Sequence, residues 1–187
     1  MYKIYSTERL ILRVLDGSFS ETVLSYYLRN REFLQEWEFA QDEEFYTEKI
    51  QKNQLANDLK SIENGSLLKL WIFNKDDCNN TIGSISFSNI IRGSFLSSFL
   101  GYKLDKDEIN KGYITEALEK GIEIVFNDYK LHRIEANIMP KNKPSLRVVE
   151  KLGFYNEGLA LKYLKINGRW EDHIHMVLIS QDAVHLQ

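Results

Sequence analysis

Cysteine and proline are scarce in this chain of 187 residues, which contains one cysteine and two prolines. A single Cys78 forms no internal disulfide and supplies no cysteine-rich zinc site. Two prolines and ten glycines exclude collagen and most low-complexity linkers. What remains is an ordinary folded domain, because the 43% hydrophobic and 27% charged fractions are typical of globular proteins.

Long hydrophobic runs and a strong charge of one sign are also missing. No window approaches about 18 consecutive apolar residues, so no membrane-spanning helix is predicted. Lys3, Glu8 and Arg9 precede any apolar run of signal-peptide length, so we expect a cytoplasmic protein without an export signal. The net charge of −3 lacks the basic excess of a dedicated nucleic-acid binder. We therefore expect neither a membrane nor a nucleic acid as a direct partner.

The hydrophobic periodicity predicts alternating strands and helices along one domain, residues 1–187, since domains span roughly 100–200 residues. Helices are expected near residues 18–31, 43–63, 113–129 and from Pro144 to Gly153. Strands are expected at residues 9–15, 68–73, 81–87, 95–104, 132–139, 154–166 and 173–180. Short polar turns join the second to the fourth strand, which predicts an antiparallel meander. The fold class is therefore α/β (α+β).

A polar loop between a strand and a helix is the first candidate binding site. A helix N-terminus offers unpaired N–H groups, Gly112 lets an anionic group approach the backbone, and Lys111 adds a cation. A diphosphate would fit there. By itself the pattern matches no complete phosphate-binding motif, so an ordinary loop with a turn glycine is the simpler interpretation of these residues alone.

The segments 100–104 and 112–118 resemble motif A of the GNAT acyltransferases, and residues 136–145 and 150–154 resemble its continuation. The resemblance is greatest to the RimJ/RimL type, the ribosomal-protein N-terminal acetyltransferases, with RimJ closest, and it runs nearly end to end. It implies a single GNAT domain with a mixed, mostly antiparallel sheet of about six or seven strands and about four flanking helices. The sheet would be splayed between its fourth and fifth strands, residues 95–104 and 132–139.

The same resemblance implies acetyl-CoA as the cofactor and assigns residues to it. The pantetheine arm would pair with the backbone of Tyr102, Lys103 and Leu104, and Asn142 would bond its amide. The residues that would hold the diphosphate are Asn110, Lys111, Gly112, Tyr113, Ile114 and Thr115. Asn110 stands where the family commonly has a glycine, and we expect it to take the left-handed conformation. Asp107 replaces a Gln or Arg and is expected to point outward.

Two catalytic residues are predicted, each with a plainer alternative. The tyrosine that many members use as an acid is replaced by Val149, and the resemblance to RimL-like enzymes suggests Ser145 as the proton donor to the CoA sulfur. Ser145 is equally well explained as a first-turn residue of a helix. Strand alternation puts Glu135 and Asn137 on one face, and a Glu on that strand is the base in some relatives. A solvated Glu135 with a water relay is the alternative, because an α-amine has a pKa near ~7.7–8.0.

The residues that would bind the acceptor amine carry no comparable motif in the sequence. Candidates for its walls, each of which also fits a core or rim position, are Trp37, Phe87, Asn89, Tyr163 and Trp170. No metal is predicted, because the four histidines, His132, His173, His175 and His185, lack the spacing of a metal site. His173 and His175 share one strand face, and surface packing is the simpler explanation for them.

Three functions fit these observations. The first is transfer of acetyl from acetyl-CoA to a protein N-terminal α-amine, such as that of a ribosomal protein, by direct attack in a ternary complex. The second is the same chemistry on a small amine, such as an antibiotic, polyamine or amino acid. The third is a non-catalytic acyl-CoA-binding module. A protein acceptor predicts an open groove with an acidic or neutral lip, whereas a polyamine predicts a closed pocket with several carboxylates. We expect the protein to be a monomer or a homodimer.

Overall fold

The computed structural model describes residues 3–180, which form one sheet with helices on both faces. The strands are β1 (Ile4–Ser6), β2 (Leu10–Arg13), β3 (Leu68–Asn74), β4 (Asp77–Ile91), β5 (Ser97–Leu104), β6 (Arg133–Ile138), β7 (Tyr155–Ile166) and β8 (Arg169–Ile179). The helices are α1 (Ser20–Gln35), α2 (Glu48–Glu63), α3 (Tyr113–Asn127) and α4 (Lys143–Lys151). None of these helices has both the length and the hydrophobicity needed to cross a membrane.

The sheet order is β1-β2-β3-β4-β5-β6-β8-β7. All neighbours are antiparallel except β5 and β6, which run parallel and are joined through α3, as a parallel pair requires a long crossover. Ser97 to Phe99 pair with Arg133 to Glu135, and no pairing continues beyond Phe99. The splay predicted between residues 95–104 and 132–139, which form β5 and β6 of the observed sheet, is therefore confirmed. The extra eighth strand is β1, whose three residues are too short to give a sequence pattern.

Two hydrophobic cores lie on opposite faces of the sheet. β3 shows why, because its alternating side chains are buried on both sides. Leu70 and Ile72 join the core under α3 and α4, whereas Trp71 and Phe73 join the core under α1 and α2. Helices thus cover both faces of the sheet, and the splay between β5 and β6 is a gap in the sheet that separates them.

Phe87 belongs to the first of these cores and not to an acceptor groove. Its side chain is fully buried beneath α3, where Gly121 lets the helix approach the sheet. A Cβ at Gly121 would lie 2.9 Å from the Phe87 ring and 2.5 Å from Ile85 Cδ1. Of the two interpretations given for Phe87, the core position is therefore the one that the structure supports, because close helix–sheet packing buries this aromatic ring.

Candidate functional site

The splay opens into a cleft of about 640 Å³ between β5, the loop before α3, and α4. We call it the α4 cleft. The predicted site residues that line it are Tyr102, Lys103, Leu104, Asn110, Gly112, Ile114, Thr115, Asn142 and Ser145. Lys111, Tyr113 and Glu135 do not line it. Tertiary structure thus brings together residues from β5, the loop before α3, and the starts of α3 and α4.

The loop before α3 is held at its start by a polar network on α1. The carboxylate of Asp105, which is 4% exposed, accepts from Arg29 Nε at 2.5 Å and from Asn30 Nδ2 at 3.0 Å. Asn30 Oδ1 accepts in turn from the backbone N–H of Lys106 at 2.9 Å. Burial raises the pKa of Asp105, but the hydrogen bonds and the Arg29 charge outweigh it and hold the pKa below its usual value. The carboxylate stays ionised and fixes this end of the loop.

The other end of the loop is held by Arg9. Its Nε lies 2.7 Å from Glu116 Oε2, and its Nη1 donates to the carbonyl oxygen of Lys111 at 2.9 Å. Thr7 Oγ1 adds a 2.5 Å bond to Glu116 Oε1. Burial raises the pKa of Glu116, but the bonds from Thr7 and Arg9 outweigh it and lower the pKa. Sequence reasoning missed this function of Arg9, since the two partners lie about a hundred residues away.

The backbone between these anchors has the shape that an anion site needs. Asn110 has φ of 62° and Gly112 has φ of 82°, so asparagine does take the left-handed conformation predicted for it. Gly112 caps the N-terminus of α3. Asp107 is exposed and lines no part of the cleft, and Lys111 Nζ pairs with Glu108 at 3.0 Å. The loop therefore offers backbone groups of a helix N-terminus to the cleft.

Two cations on α4 face the same cleft and were not anticipated. Arg147 and Lys151 stand four residues apart, which places them on one side of the helix, and both line the α4 cleft. Asn142, at the start of the helix, accepts from the backbone N–H of Ser145 at 3.2 Å and also lines the cleft. Asn142 is thus the N-cap of α4, and its place on the cleft wall leaves room for a second contact.

A hydroxyl pair bridges the splay. Tyr102 Oη of β5 lies 2.5 Å from Ser145 Oγ of α4 and donates to the Ser145 carbonyl oxygen at 3.0 Å. Burial raises the pKa of Tyr102 to about 12, against the opposite effect of the Ser145 bond. The phenol is therefore protonated at neutral pH. Only backbone contacts had been predicted for Tyr102. Its side chain nevertheless supplies a phenol hydroxyl, whereas Val149, which replaces the tyrosine of many family members, is apolar and fully buried.

A second cleft of about 510 Å³ opens on the other face of the sheet, toward α2, and we call it the α2 cleft. Its carboxylates, Glu38 and Asp58, lie 2.5 Å from Lys103 Nζ and 2.7 Å from Lys69 Nζ. The residues that line both clefts are Trp37, Glu38, Gly101, Tyr102, Lys103, Asn137 and His173. We call this set the junction, because it is where a ligand in one cleft would meet a ligand in the other.

The charge of Lys103 at the junction is maintained by its neighbours. Burial lowers the pKa of this ammonium, but the Tyr27 and Glu38 charges and hydrogen bonds outweigh it and raise the pKa. Lys103 and Glu38 therefore form a paired cation and anion beside the splay. The pair leaves the junction close to neutral overall.

The remaining predicted residues lie elsewhere. Glu135 lines neither cleft, and its carboxylate pairs with Arg133 at 2.9 Å and with His175 Nδ1 at 3.4 Å. Tyr163 packs its ring 4.9 Å from that of His175, while Trp170 and Asn89 also line neither cleft. Within residues 3–180 no group of side chains has the composition of a metal site, and His185 lies outside the described residues.

Residues 9–155 match the family model for the acetyltransferase (GNAT) domain. The chain belongs to the GNAT acetyltransferase family. It is 36% identical over 173 residues to the probable N-acetyltransferase YjcK of Bacillus subtilis, covering 92% of this chain and 95% of that one. It is 35% identical to the Escherichia coli ribosomal protein uS5-alanine N-acetyltransferase, covering 95% and 91%. The solved structure of Mycobacterium smegmatis RimJ with CoA-disulfide superposes with a TM-score of 0.87 at 25% identity, covering 95% and 84%.

Membership in this GNAT family, with RimJ and RimL proteins as its neighbours, confirms the resemblance identified in the sequence. The chain is an acetyl-CoA-dependent N-acetyltransferase. The expectation of a non-catalytic binding module is not supported, because these relatives are named as N-acetyltransferases.

Proposed function

We propose that this acetyltransferase binds acetyl-CoA in the α4 cleft and acetylates a protein N-terminal α-amine that enters through the α2 cleft. The α3 N-terminus, flanked by Asn110 and Gly112, would receive the diphosphate, with Arg147 and Lys151 as nearby cations. Tyr102, Lys103 and Leu104 line the way from there to the junction, where the thioester would meet the amine.

One observation carries the choice of acceptor, namely that the carboxylates in the α2 cleft are paired with lysines. Glu38 is neutralised by Lys103 and Asp58 by Lys69, so the cleft offers no surplus negative charge to a polyamine. A single α-amine attached to a peptide suits a neutral cleft better than a polycation does. The similarity to the uS5-alanine N-acetyltransferase supports the same class, and we propose a ribosomal-protein-like N-terminus.

Transfer in such a site is direct, and the junction would align the amine with the thioester carbonyl. We propose that Ser145 protonates the departing CoA sulfur. The support is its position on the cleft wall and the Tyr102 hydroxyl 2.5 Å away, which stays protonated and can turn from the Ser145 carbonyl oxygen to donate to Ser145 Oγ when the serine proton leaves. That Glu135 acts as the base that deprotonates the amine stays a prediction.

Acetylation of a cell extract tests this proposal. The full chain is incubated with trideuteroacetyl-CoA and bacterial extract, and new N-terminal acetyl groups are mapped by mass spectrometry, with Ser145→Ala as the matched control. We expect deuterated acetyl groups on the N-terminal residues of a small set of proteins, ribosomal proteins among them, and much less label with the control variant. Label confined to spermidine, free amino acids or other small amines would contradict the protein acceptor while leaving the acetyltransferase assignment intact.

A further inference from the structure

His173 of β8 stands at the junction of the two clefts. It is 3% exposed, yet it lines both the α4 cleft and the α2 cleft. Its place follows from register, since β8 pairs with β6 as far as Ile138 and Ile174, and His173 is the next residue toward the splay. A histidine packed on the surface of the sheet would not meet both clefts, so the surface-packing interpretation does not describe this residue.

The hydrogen bonding of the ring defines which nitrogen is free. His173 Nδ1 lies 3.0 Å from the carbonyl oxygen of Glu171. Because a carbonyl oxygen only accepts, Nδ1 carries the proton and Nε2 keeps its lone pair. Burial lowers the pKa of His173, and the Glu171 bond only partly offsets this effect. The ring is therefore neutral at pH 7, which is the state of a general base.

The surroundings of the ring are mixed in charge. The charged and titratable groups around His173, on its own strand, on β7 and at the junction, are Glu171, Asp172, His175, Tyr163, Tyr102, Lys103 and Glu38. The acidic residues on its own strand raise its pKa, and His175 lowers it. Across the junction Lys103 and Glu38 offset one another in their 2.5 Å pair. Desolvation thus remains the dominant influence on the ring.

A neighbouring amide is poised to accept an N–H group at the same place. Asn137 Oδ1 is buried and has no hydrogen-bond partner among the residues that the structure describes, although Asn137 lines both clefts. An unsatisfied buried acceptor is costly, and an incoming amine would satisfy it. The carboxylate of Glu135, by contrast, pairs with Arg133 and His175, and Glu135 lines neither cleft. The acceptors that an amine would meet are therefore His173 and Asn137.

We infer that His173 Nε2 is the general base for the acceptor amine and that Asn137 Oδ1 orients the amine; the class of acceptor rests on the proposed function. His173 takes one proton from the α-ammonium, directly or through one water, and later returns it to solvent. The nitrogen lone pair forms the N–C bond to the acetyl carbon, and the C–S bond breaks with its electron pair on sulfur. The second proton lost from nitrogen balances the one gained by the CoA sulfur.

The test compares pH profiles of kcat/KM for the full chain with a peptide whose N-terminus the extract experiment identifies. His173→Gln is expected to lower kcat/KM about 100-fold at pH 6.5, within the usual range for loss of a general base. The deficit should shrink steadily above pH ~8, because the α-amine then arrives already deprotonated. The matched control His175→Gln should keep the wild-type profile, and CoA affinity by calorimetry should be unchanged in both variants.

The outcomes separate the inference from the proposed function. If the wild type acetylates only small amines, the protein acceptor is wrong, and the same comparison is made with the small amine that is turned over. A deficit that is constant with pH, or absent, in His173→Gln overturns the inference, as does a pH-dependent deficit in Glu135→Gln alone. Independently of any acceptor, NMR of the histidine rings should show His173 neutral at pH 7 with the proton on Nδ1, and a proton on Nε2 would also overturn it.

Discussion

The α4 cleft and the α2 cleft share one junction but are built in different ways. Most of the α4 cleft comes from two short stretches of chain, residues 100–115 and 137–151. The α2 cleft takes its walls from many short pieces of chain scattered between Tyr27 and His173. The first is thus a local structure that a motif can encode, while the second exists only when distant segments pack together.

The two clefts also differ in how charge is arranged. In the α4 cleft the α3 N-terminus and the α4 cations Arg147 and Lys151, which have no ion-pair partner within residues 3–180, favour an anion. The loop that presents the α3 N-terminus is bonded at both ends. In the α2 cleft each carboxylate has a lysine partner. One side is thus organised for a strongly charged ligand and the other for an acceptor of low charge. Substitutions in each cleft should therefore affect one ligand and spare the other.

Ser145→Ala should lower kcat about 100-fold if the junction is where the two ligands react, because the CoA sulfur then leaves without its proton donor. The KM values for acetyl-CoA and acceptor should change little. Tyr102→Phe should give a smaller loss, about tenfold, since it removes only the donor to Ser145. Steady-state kinetics check both values. Full activity in Ser145→Ala would exclude the proposed proton transfer.

Arg9→Ala should weaken the α4 cleft alone. It removes the donor to the Lys111 carbonyl and the partner of Glu116, so the loop loses one of its two anchors. We expect the KM for acetyl-CoA to rise about tenfold, or about 1.4 kcal/mol, with the acceptor KM unchanged. Arg31→Ala is the matched control, because Arg31 pairs with the exposed Glu43 and lines neither cleft. An equal effect of both variants would break the division between the clefts.

Glu38→Gln should act on the acceptor side. The amide leaves the Lys103 ammonium unpaired beside the path of a cationic amine. The acceptor KM should rise about fivefold, which corresponds to about 1 kcal/mol, while binding of CoA measured by calorimetry stays near the wild-type value. Glu43→Gln, which removes an exposed carboxylate outside both clefts, is the control. A larger effect on CoA than on the acceptor would reverse our assignment of the clefts.

Acid should loosen the loop anchor through Glu116. Its pKa is lower in the folded protein, so its stabilisation is present above the unfolded value of ~4.3 and is lost as the pH falls through the folded value. We expect Glu116→Gln to remove about 1 kcal/mol at pH 7, a fall in Tm of about 2–4 °C that shrinks as the pH falls below ~4.3. Thermal unfolding at pH 7, 5 and 3 measures it. A constant difference between variant and wild type would show that the charge is unimportant.

The parts of the site that follow from the sequence are those with a local cause. Asn110 and Gly112 take positive φ because they are the residues that tolerate it, and Asn142 caps α4 because its side chain reaches the N–H of Ser145 three residues on. The splay was also anticipated from the family resemblance. By contrast, the sequence left Phe87 between a groove wall and a core position, since the alternation of β4 does not say which of its faces α3 covers.

Distant contacts account for what sequence reasoning missed. Arg9 meets Lys111 and Glu116, Asn30 meets Asp105, and Tyr102 meets Ser145 across segments that only folding brings together. Glu135 has the right face of β6, but Arg133 and His175 occupy its carboxylate. The sequence suggested that His173 packs on the surface of its strand, because the two clefts that it lines are formed by other elements of the fold.

Periodicity, turn residues and helix caps predicted most of the secondary structure and the shape of the phosphate-type loop, because these signals act within a few residues of one another. The GNAT family was indicated by the resemblance of residues 100–118 and 136–154 to a family motif. Which side chains line the clefts depends instead on how distant segments pack. At the opening between β5 and β6, burial and hydrogen bonding select Tyr102, Ser145 and His173 as residues of the cleft wall, where we propose that the two ligands react. Those selections depend on distances between segments, which no local pattern records.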